Sequence, residues 1–193
     1  MTQHVDGGPH PLPVSAPQGS AVTVRLLREE DAEPLARLLT ANRDFLAPWE
    51  PVRDDGYFTA EGQRRVLEDA LLLYSGGVLL PCAILADGDL VGRMNVANIV
   101  RGALESGDVG YWVAESAGGR GVASAALAGV LRIAFSTLGL HRVGASTLLN
   151  NVRSQRVLEK NGFERIGLAP SFLRINGRWS DSLLFQRLND DYV

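Results

Sequence analysis

The order of segments along this chain predicts an α/β or α+β fold, and three observations carry the prediction. Strand-like alternation and helix-like periodicity follow one another as β-α-α-β-β-β-α-β-α-β-β, so strands and helices are interleaved. Asp87-Gly88-Asp89 and Asn176-Gly177 are tight-turn signals between strand-like runs, which makes hairpins. In the middle, the strand-like stretch Gly107 to Val113 runs into a Gly-rich turn that opens a long apolar helix over 117–135.

The elements follow in order. Residues 1–20 carry Pro9, Pro11, Pro13 and Pro17 with almost no large apolar side chains, the composition of a disordered tail. Val22 to Leu27 alternates as a first strand. Asp31 is placed to cap a helix through about Leu39, with Pro34 tolerated in the first turn. Thr59 starts a second helix through Tyr74, with Val66, Leu67, Ala70 and Leu71 on its apolar side and Gly76-Gly77 as its stop. Val78–Ala86 and Leu90–Val100 are the strands of the first hairpin, and Val109–Val113 is the fourth strand. After the apolar helix come a fifth strand, Arg142–Leu148, and a helix from about Val152 to Lys160 ended by Asn161-Gly162. Two or three antiparallel strands complete the chain.

Composition sets bounds on function. At 193 residues and 46% hydrophobic content the chain suffices for one cored domain, 21–193, after the tail. Apolar runs such as Val78 to Ala86 fall well short of the roughly 20 residues that span a bilayer. The first Arg is Arg25, so no basic region of a secretory signal precedes it. The single cysteine, Cys82, fits a reducing compartment and reads as a small buried strand residue. These features predict a cytoplasmic protein without a membrane partner. A net charge of −3 argues against direct nucleic-acid binding. His141 has no neighbouring His or Cys, and no metal is expected.

The Gly-rich turn is built for phosphate. Helix N-termini present backbone N–H groups at the positive end of a dipole, and glycines remove the side chains that would block a close approach. A nucleotide-hydrolysing P-loop would need a Gly-Lys-Ser/Thr ending that is absent. A dinucleotide fingerprint is met only in its first half by Gly119-Arg120-Gly121, and Leu140, His141 and Arg142 stand where its acidic residue belongs.

The turn resembles the acetyl-coenzyme A turn of the GNAT acetyltransferases, Gln/Arg-x-x-Gly-x-Gly/Ala. Gly121 and Ala123 match it, and Gly118 stands where Gln or Arg is usual. A second segment, Asn151-Val152-Arg153-Ser154 followed by Val157 to Phe163, looks like the family's N-x-x-S and leucine-glutamate-lysine-x-glycine-phenylalanine pattern. The stretches Asn42 to Pro51, Gly110 to Val113, Leu140 to Val143 and Asn176 to Asp181 resemble the RimJ/RimL branch, the ribosomal-protein-alanine N-acetyltransferases, so the likeness covers roughly 22–190.

The resemblance implies a mixed, mostly antiparallel sheet flanked by helices, splayed between its fourth and fifth strands to take acetyl-coenzyme A. It places the coenzyme against Tyr111, Trp112 and Val113 of the fourth strand, against Gly118, Gly119, Arg120, Gly121, Val122, Ala123 and Ser124 of the turn, and against Asn151. Asn151 is equally placed to cap its helix. Arg153, Arg156 and Lys160 share a helix face and either attract coenzyme phosphates or are simply solvated.

The implied reaction is attack of a free amine on a thioester, with departure of a thiolate. Strand N–H groups polarise the carbonyl, worth about 3–4 kcal/mol each by analogy with other oxyanion holes. At pH 7 a lysine amine is neutral about once in 2,500 molecules and an α-amine roughly a tenth of the time or more, so an N-terminal acceptor asks less of a base. Asp108 is the candidate base, with Glu105 in reserve. The Tyr that many relatives use toward the thiolate is replaced by Leu158, and the branch's Ser matches Ser154. Asn42, Trp49, Asn95 and Asn98 are implied to wall the acceptor side, while Phe45, Trp49 and Trp179 could equally be core aromatics. The expected acceptor is a protein N-terminus, such as that of a ribosomal protein. A small amine (antibiotic, polyamine or amino acid) and a non-catalytic acyl-coenzyme A sensor stay open, as does a homodimer.

Overall fold

The computed structural model describes residues 12–15 and 21–192. Among these, eight strands form one sheet in the order β1-β2-β3-β4-β5-β6-β8-β7. They are β1 (Leu12–Ser15), β2 (Ala21–Leu26), β3 (Leu80–Ala86), β4 (Asp89–Val100), β5 (Ser106–Val113), β6 (Arg142–Leu148), β7 (Glu164–Ile175) and β8 (Arg178–Leu188). Neighbours run antiparallel except β5 and β6. The expected fourth and fifth strands are therefore β5 and β6. The helices are α1 (Ala32–Ala41), a single turn α2 (Arg43–Leu46), α3 (Ala60–Ser75), α4 (Val122–Arg132) and α5 (Val152–Lys160).

The sequence signals explain most boundaries. Thr59 caps α3 by accepting the Gly62 N–H at 3.0 Å, and Gly77 follows its end in the left-handed conformation that glycine adopts without strain. Both hairpin turns have two consecutive positive-φ residues, Asp87-Gly88 (53° and 92°) and Asn176-Gly177 (46° and 76°), as a type I′ turn requires.

Three expectations change. Residues 12–15, within the expected tail, pair antiparallel with β2 from Leu12 opposite Val24 to Ser15 opposite Ala21; edge pairing needs backbone alone and accommodates Pro13. The rest of that tail, 1–11 and 16–20, lies outside the described residues. Asp31 does not cap α1 with its side chain. Its carboxylate instead takes a two-pronged bond from Arg25, both arms 2.7 Å, and the Arg28 N–H at 2.9 Å. Strand β5 starts at Ser106, so Asp108 lies inside a strand and not at its end.

The sheet has a core on each face. Val22, Val24, Cys82, Ile84, Met94 and Val96 pack with Val122, Ala126, Leu127 and Val130 of α4 and with Leu158 of α5. On the other face Leu27 and Ala83 pack with Ala32 and Leu35 of α1 and Leu67 of α3. Leu35, Leu67, Leu127 and Leu158 are at or near complete burial, each worth about 1.5–3 kcal/mol. Consecutive residues of β5 thus face opposite cores, and the two faces meet different helices.

Candidate active site

Strands β5 and β6 pair over four rungs only, from Ser106 opposite Arg142 to Val109 opposite Ala145. Beyond that point β5 keeps its pairing with β4 as far as Val113 opposite Gly92, and β6 keeps its pairing with β8 as far as Leu148 opposite Ser182. Each strand is held on its outer edge and released on its inner one. The sheet therefore opens between them, and Gly110–Val113 border the gap with a strand edge that has no partner strand.

The chain leaves the open end of β5 at Val113 and, after a short turn over Glu115–Ala117, reaches the start of α4 at Val122. Gly121 is its N-cap at φ 80° and ψ 1°, and no side chain caps the helix. The first bond back onto the turn is Ala125 N–H to Gly121 O at 3.0 Å, so Val122, Ala123 and Ser124 supply the first-turn N–H groups that a helix cannot satisfy itself. Gly119 is also left-handed, and a Cβ built there would meet nothing within 4 Å. An uncapped helix start fronted by open space suits a phosphate. Arg120 pairs at 3.6 Å with Asp87, which itself accepts the Ala21 N–H at 2.9 Å. The Ser124 hydroxyl accepts from Asn161 Nδ2 at 3.0 Å and ties α4 to the end of α5.

On the α4 and α5 face lie Val109, Tyr111 and Val113. Asn151 caps α5 by accepting the Ser154 N–H at 3.1 Å. The Tyr111 hydroxyl reaches Ser154 Oγ at 2.9 Å and the Ser154 carbonyl at 3.3 Å, joining β5 to α5. Burial pushes the Tyr111 hydroxyl up to about 12, the Ser154 hydrogen bond opposing it. Leu158, where the family resemblance leads one to expect a Tyr, is 1% exposed and belongs to the core. On the facing strand the buried Thr147 Oγ1 has no partner; two residues beyond the last rung, it holds the register position of Tyr111. Arg153, Arg156 and Lys160 lie exposed along α5.

The opposite face carries Asp108, Gly110 and Trp112, in register with Ala97, Asn95 and Arg93 of β4. Asp108 is exposed, accepts from Asn98 Nδ2 at 3.4 Å, and lies so close to β6 that a Cβ at Gly144 would stand 2.4 Å from its Oδ1. It sits at the paired root of the opening, two residues before Gly110. Asn98 takes φ 51° in the bulge of β4. Glu105 is bound by Arg101 and by the Gly102 N–H at 2.9 Å; the Arg101 hydrogen bond above all holds its carboxyl below the usual range, which weakens it as a base.

Asn42 is buried, with Nδ2 donating to Leu38 O and Oδ1 accepting the Glu115 N–H, both at 2.8 Å. Its amide clamps the end of α1 to the turn after β5. Asn95 accepts from Arg93 Nε at 3.1 Å. Trp49 and Phe45 are half-buried, and Trp179 is 65% exposed at the β7–β8 tip, which rules out a core role for it. Cys82 is fully buried and pushed up to about 12 by that burial, as an inert core thiol would be.

Three features were missed in the sequence. Glu50 lines a cavity of about 170 Å³ with Arg43, Arg53, Tyr57 and Asn176, and burial raises its carboxyl. Its carbonyl accepts the Asn176 N–H at 3.1 Å, which fastens the β7–β8 tip to the segment after α2. Arg93 is half-buried, and that loss of solvent lowers its affinity for a proton, against the pull of Tyr57 and Glu50 nearby. The alternation of Arg93 and Asn95 with Met94 and Val96 was a readable sign that one face of β4 is polar. The third feature, the Tyr111 hydroxyl, had no sequence sign.

A mixed sheet opened beside its parallel pair, with an uncapped Gly-rich helix start following the free end of one strand, is the framework of an acetyl-coenzyme A-dependent N-acetyltransferase, and comparison with known proteins agrees. This chain belongs to the GNAT acetyltransferase family: residues 21–164 match the family described as Acetyltransferase (GNAT) domain. It is 36% identical over 180 residues to the probable N-acetyltransferase YjcK of Bacillus subtilis, covering 90% of this chain and 97% of that one. It is 31% identical over 174 residues to the ribosomal protein uS5-alanine N-acetyltransferase of Escherichia coli, covering 89% and 90%. Among solved structures, Mycobacterium smegmatis RimJ in complex with CoA-disulfide superposes with a TM-score of 0.89 at 34% identity, covering 94% of this chain and 88% of that one.

Proposed function

We propose that this acetyltransferase modifies the α-amine of a protein N-terminus, that of a ribosomal protein in the first instance, as a single catalytic domain in the cytoplasm. The observation that carries the reading is that the carboxylates near the opening are either open to solvent or already bound. Asp108 is exposed at its root, and Glu105 is held by Arg101 and Gly102. An α-amine near pKa 7.7–8.0 can attack with that little help, whereas a lysine amine near 10.4 would need a strong base. The relation to the E. coli uS5-alanine enzyme supports the same acceptor.

In this reading the N–H groups of Gly119 to Ser124 in the α4 turn bind the pyrophosphate of acetyl-coenzyme A, which supplies an activated acetyl thioester; the Gly118 N–H, expected among them, is already given to Glu115 O at 2.9 Å. Tyr111, Trp112 and Val113 lend their open backbone edge to the arm and carbonyl, and Asn151 adds a contact from α5. Asp108 takes the amine proton, directly or through water. Ser154 offers its hydroxyl to the leaving sulfur; a thiol near pKa 8.5 leaves readily, so a weak donor suffices. Trp49, Asn95 and Asn98, with Asn42 behind them, wall the acceptor side.

Thiol release from acetyl-coenzyme A tests the acceptor. Short peptides with free Ala, Ser or Met N-termini should be turned over, and pre-acetylating the α-amine should abolish it. Release with polyamines or aminoglycosides alone would overturn the N-terminal assignment.

A further inference from the structure

We propose that Tyr111 is a positioning residue for the leaving-group hydroxyl: it donates to Ser154 Oγ, so that the Ser154 proton is left to point into the opening between β5 and β6, at the departing sulfur. This rests on the reading of Ser154 given above. Three observations carry it. The two hydroxyls are 2.9 Å apart, and the Ser154 carbonyl, the other acceptor in reach of Tyr111, is farther at 3.3 Å. Ser154 is in the first turn of α5, with no helical carbonyl a turn earlier to take its proton, and its Oγ is matched with Tyr111. The serine is itself held in place, because Asn151 fixes its N–H in the first turn of α5.

A hydroxyl donates one hydrogen bond and accepts two. When a thiolate forms, the Ser154 hydroxyl donates to it, while a lone pair on Oγ goes on accepting the Tyr111 hydroxyl. The chain then runs Tyr111 O–H to Ser154 O–H to sulfur. The amine nitrogen bonds the acetyl carbon, the C–S bond breaks with its electron pair on sulfur, the amine proton leaves to Asp108 or water, and the thiolate is protonated later from solvent. Tyr111 keeps its own proton throughout. With its hydroxyl pushed up to about 12, giving that proton to a thiolate whose acid lies near 8.5 would be uphill by more than about three units.

The test is Tyr111→Phe in the full chain, which keeps the ring and removes the hydroxyl. We expect kcat to fall about tenfold with coenzyme affinity within about twofold of the parent. Ser154→Ala should fall at least as far, and the double variant no further than Ser154→Ala, because Tyr111 acts through Ser154. Ultraviolet titration of the thiol of bound coenzyme A should show it roughly tenfold harder to ionise in Tyr111→Phe. Unchanged kcat and thiol titration in Tyr111→Phe, or losses that multiply in the double variant, overturn the proposal. Parent-like kcat in Ser154→Ala would instead bring down the reading of Ser154 on which it stands.

Discussion

The two sides of β5 make different kinds of site from one strand. On the side of Val109, Tyr111 and Val113, the chemistry is backbone and hydroxyl: an open strand edge, an uncapped α4 and the Tyr111–Ser154 pair. On the side of Asp108, Gly110 and Trp112, it is charge, with Arg93 and Glu50 desolvated and Asp108 folded over Gly144. Backbone donors are indifferent to the side chains that carry them, so the first side suits a donor common to a whole family. Desolvated charges discriminate sharply between partners, so on the proposed reading acceptor choice resides on the second.

Substitutions that strike one side only can break this division. Gly121→Val should weaken coenzyme A binding by about 100-fold or more in calorimetry, through lost N–H contacts and about 1–2 kcal/mol of left-handed strain. Its acceptor side is untouched. Gly110→Leu should do the reverse, since a side chain there enters open space. Acceptor KM should rise about tenfold with coenzyme affinity unchanged, and a fall in coenzyme affinity would contradict the division.

Gly144→Ala sharpens the role of Asp108, because the new Cβ would displace the carboxylate with little effect on folding. We expect kcat at pH 7 to drop about tenfold, as in Asp108→Asn. The loss should shrink above pH 8, where an α-amine is already neutral and a base has less to do. A loss independent of pH would remove Asp108 as base.

The smallest effect concerns the core and neither side of the site. The Cys82 thiol titrates near 12 folded and near 8.5–9 unfolded, so its contribution is complete below the unfolded value and is lost as pH rises toward 12. By pH 10 this removes about 1–2 kcal/mol, and the urea midpoint of Cys82→Ala should fall less than that of the parent between pH 8 and 10.

The geometry of the proposed donor side was legible in the sequence because its parts are short and contiguous. Gly118 to Ser124 and Asn151 to Ser154 each carry their geometry locally, as a turn or a cap. The acceptor side was less so. Glu50, Arg93 and Asn176 come together from the segment after α2, from β4 and from a hairpin tip, and no spacing announces that meeting. Asp31 misled for a related reason: an Asp before a helix reads as a cap, and only the fold brings Arg25 within 2.7 Å of it. β1 escaped notice because backbone pairing needs no apolar side chains, and the polar composition of 1–20 spoke only to burial.

Amide hydrogen exchange of the full chain, with and without acetyl-coenzyme A, tests the division of β5 most directly. Coenzyme should protect Gly110–Val113 and the first turn of α4, with the Asn42–Arg53 segment changing only when an α-amine peptide is added. Coenzyme-induced protection centred on Glu50 and Arg93, with the α4 turn unchanged, would contradict the division.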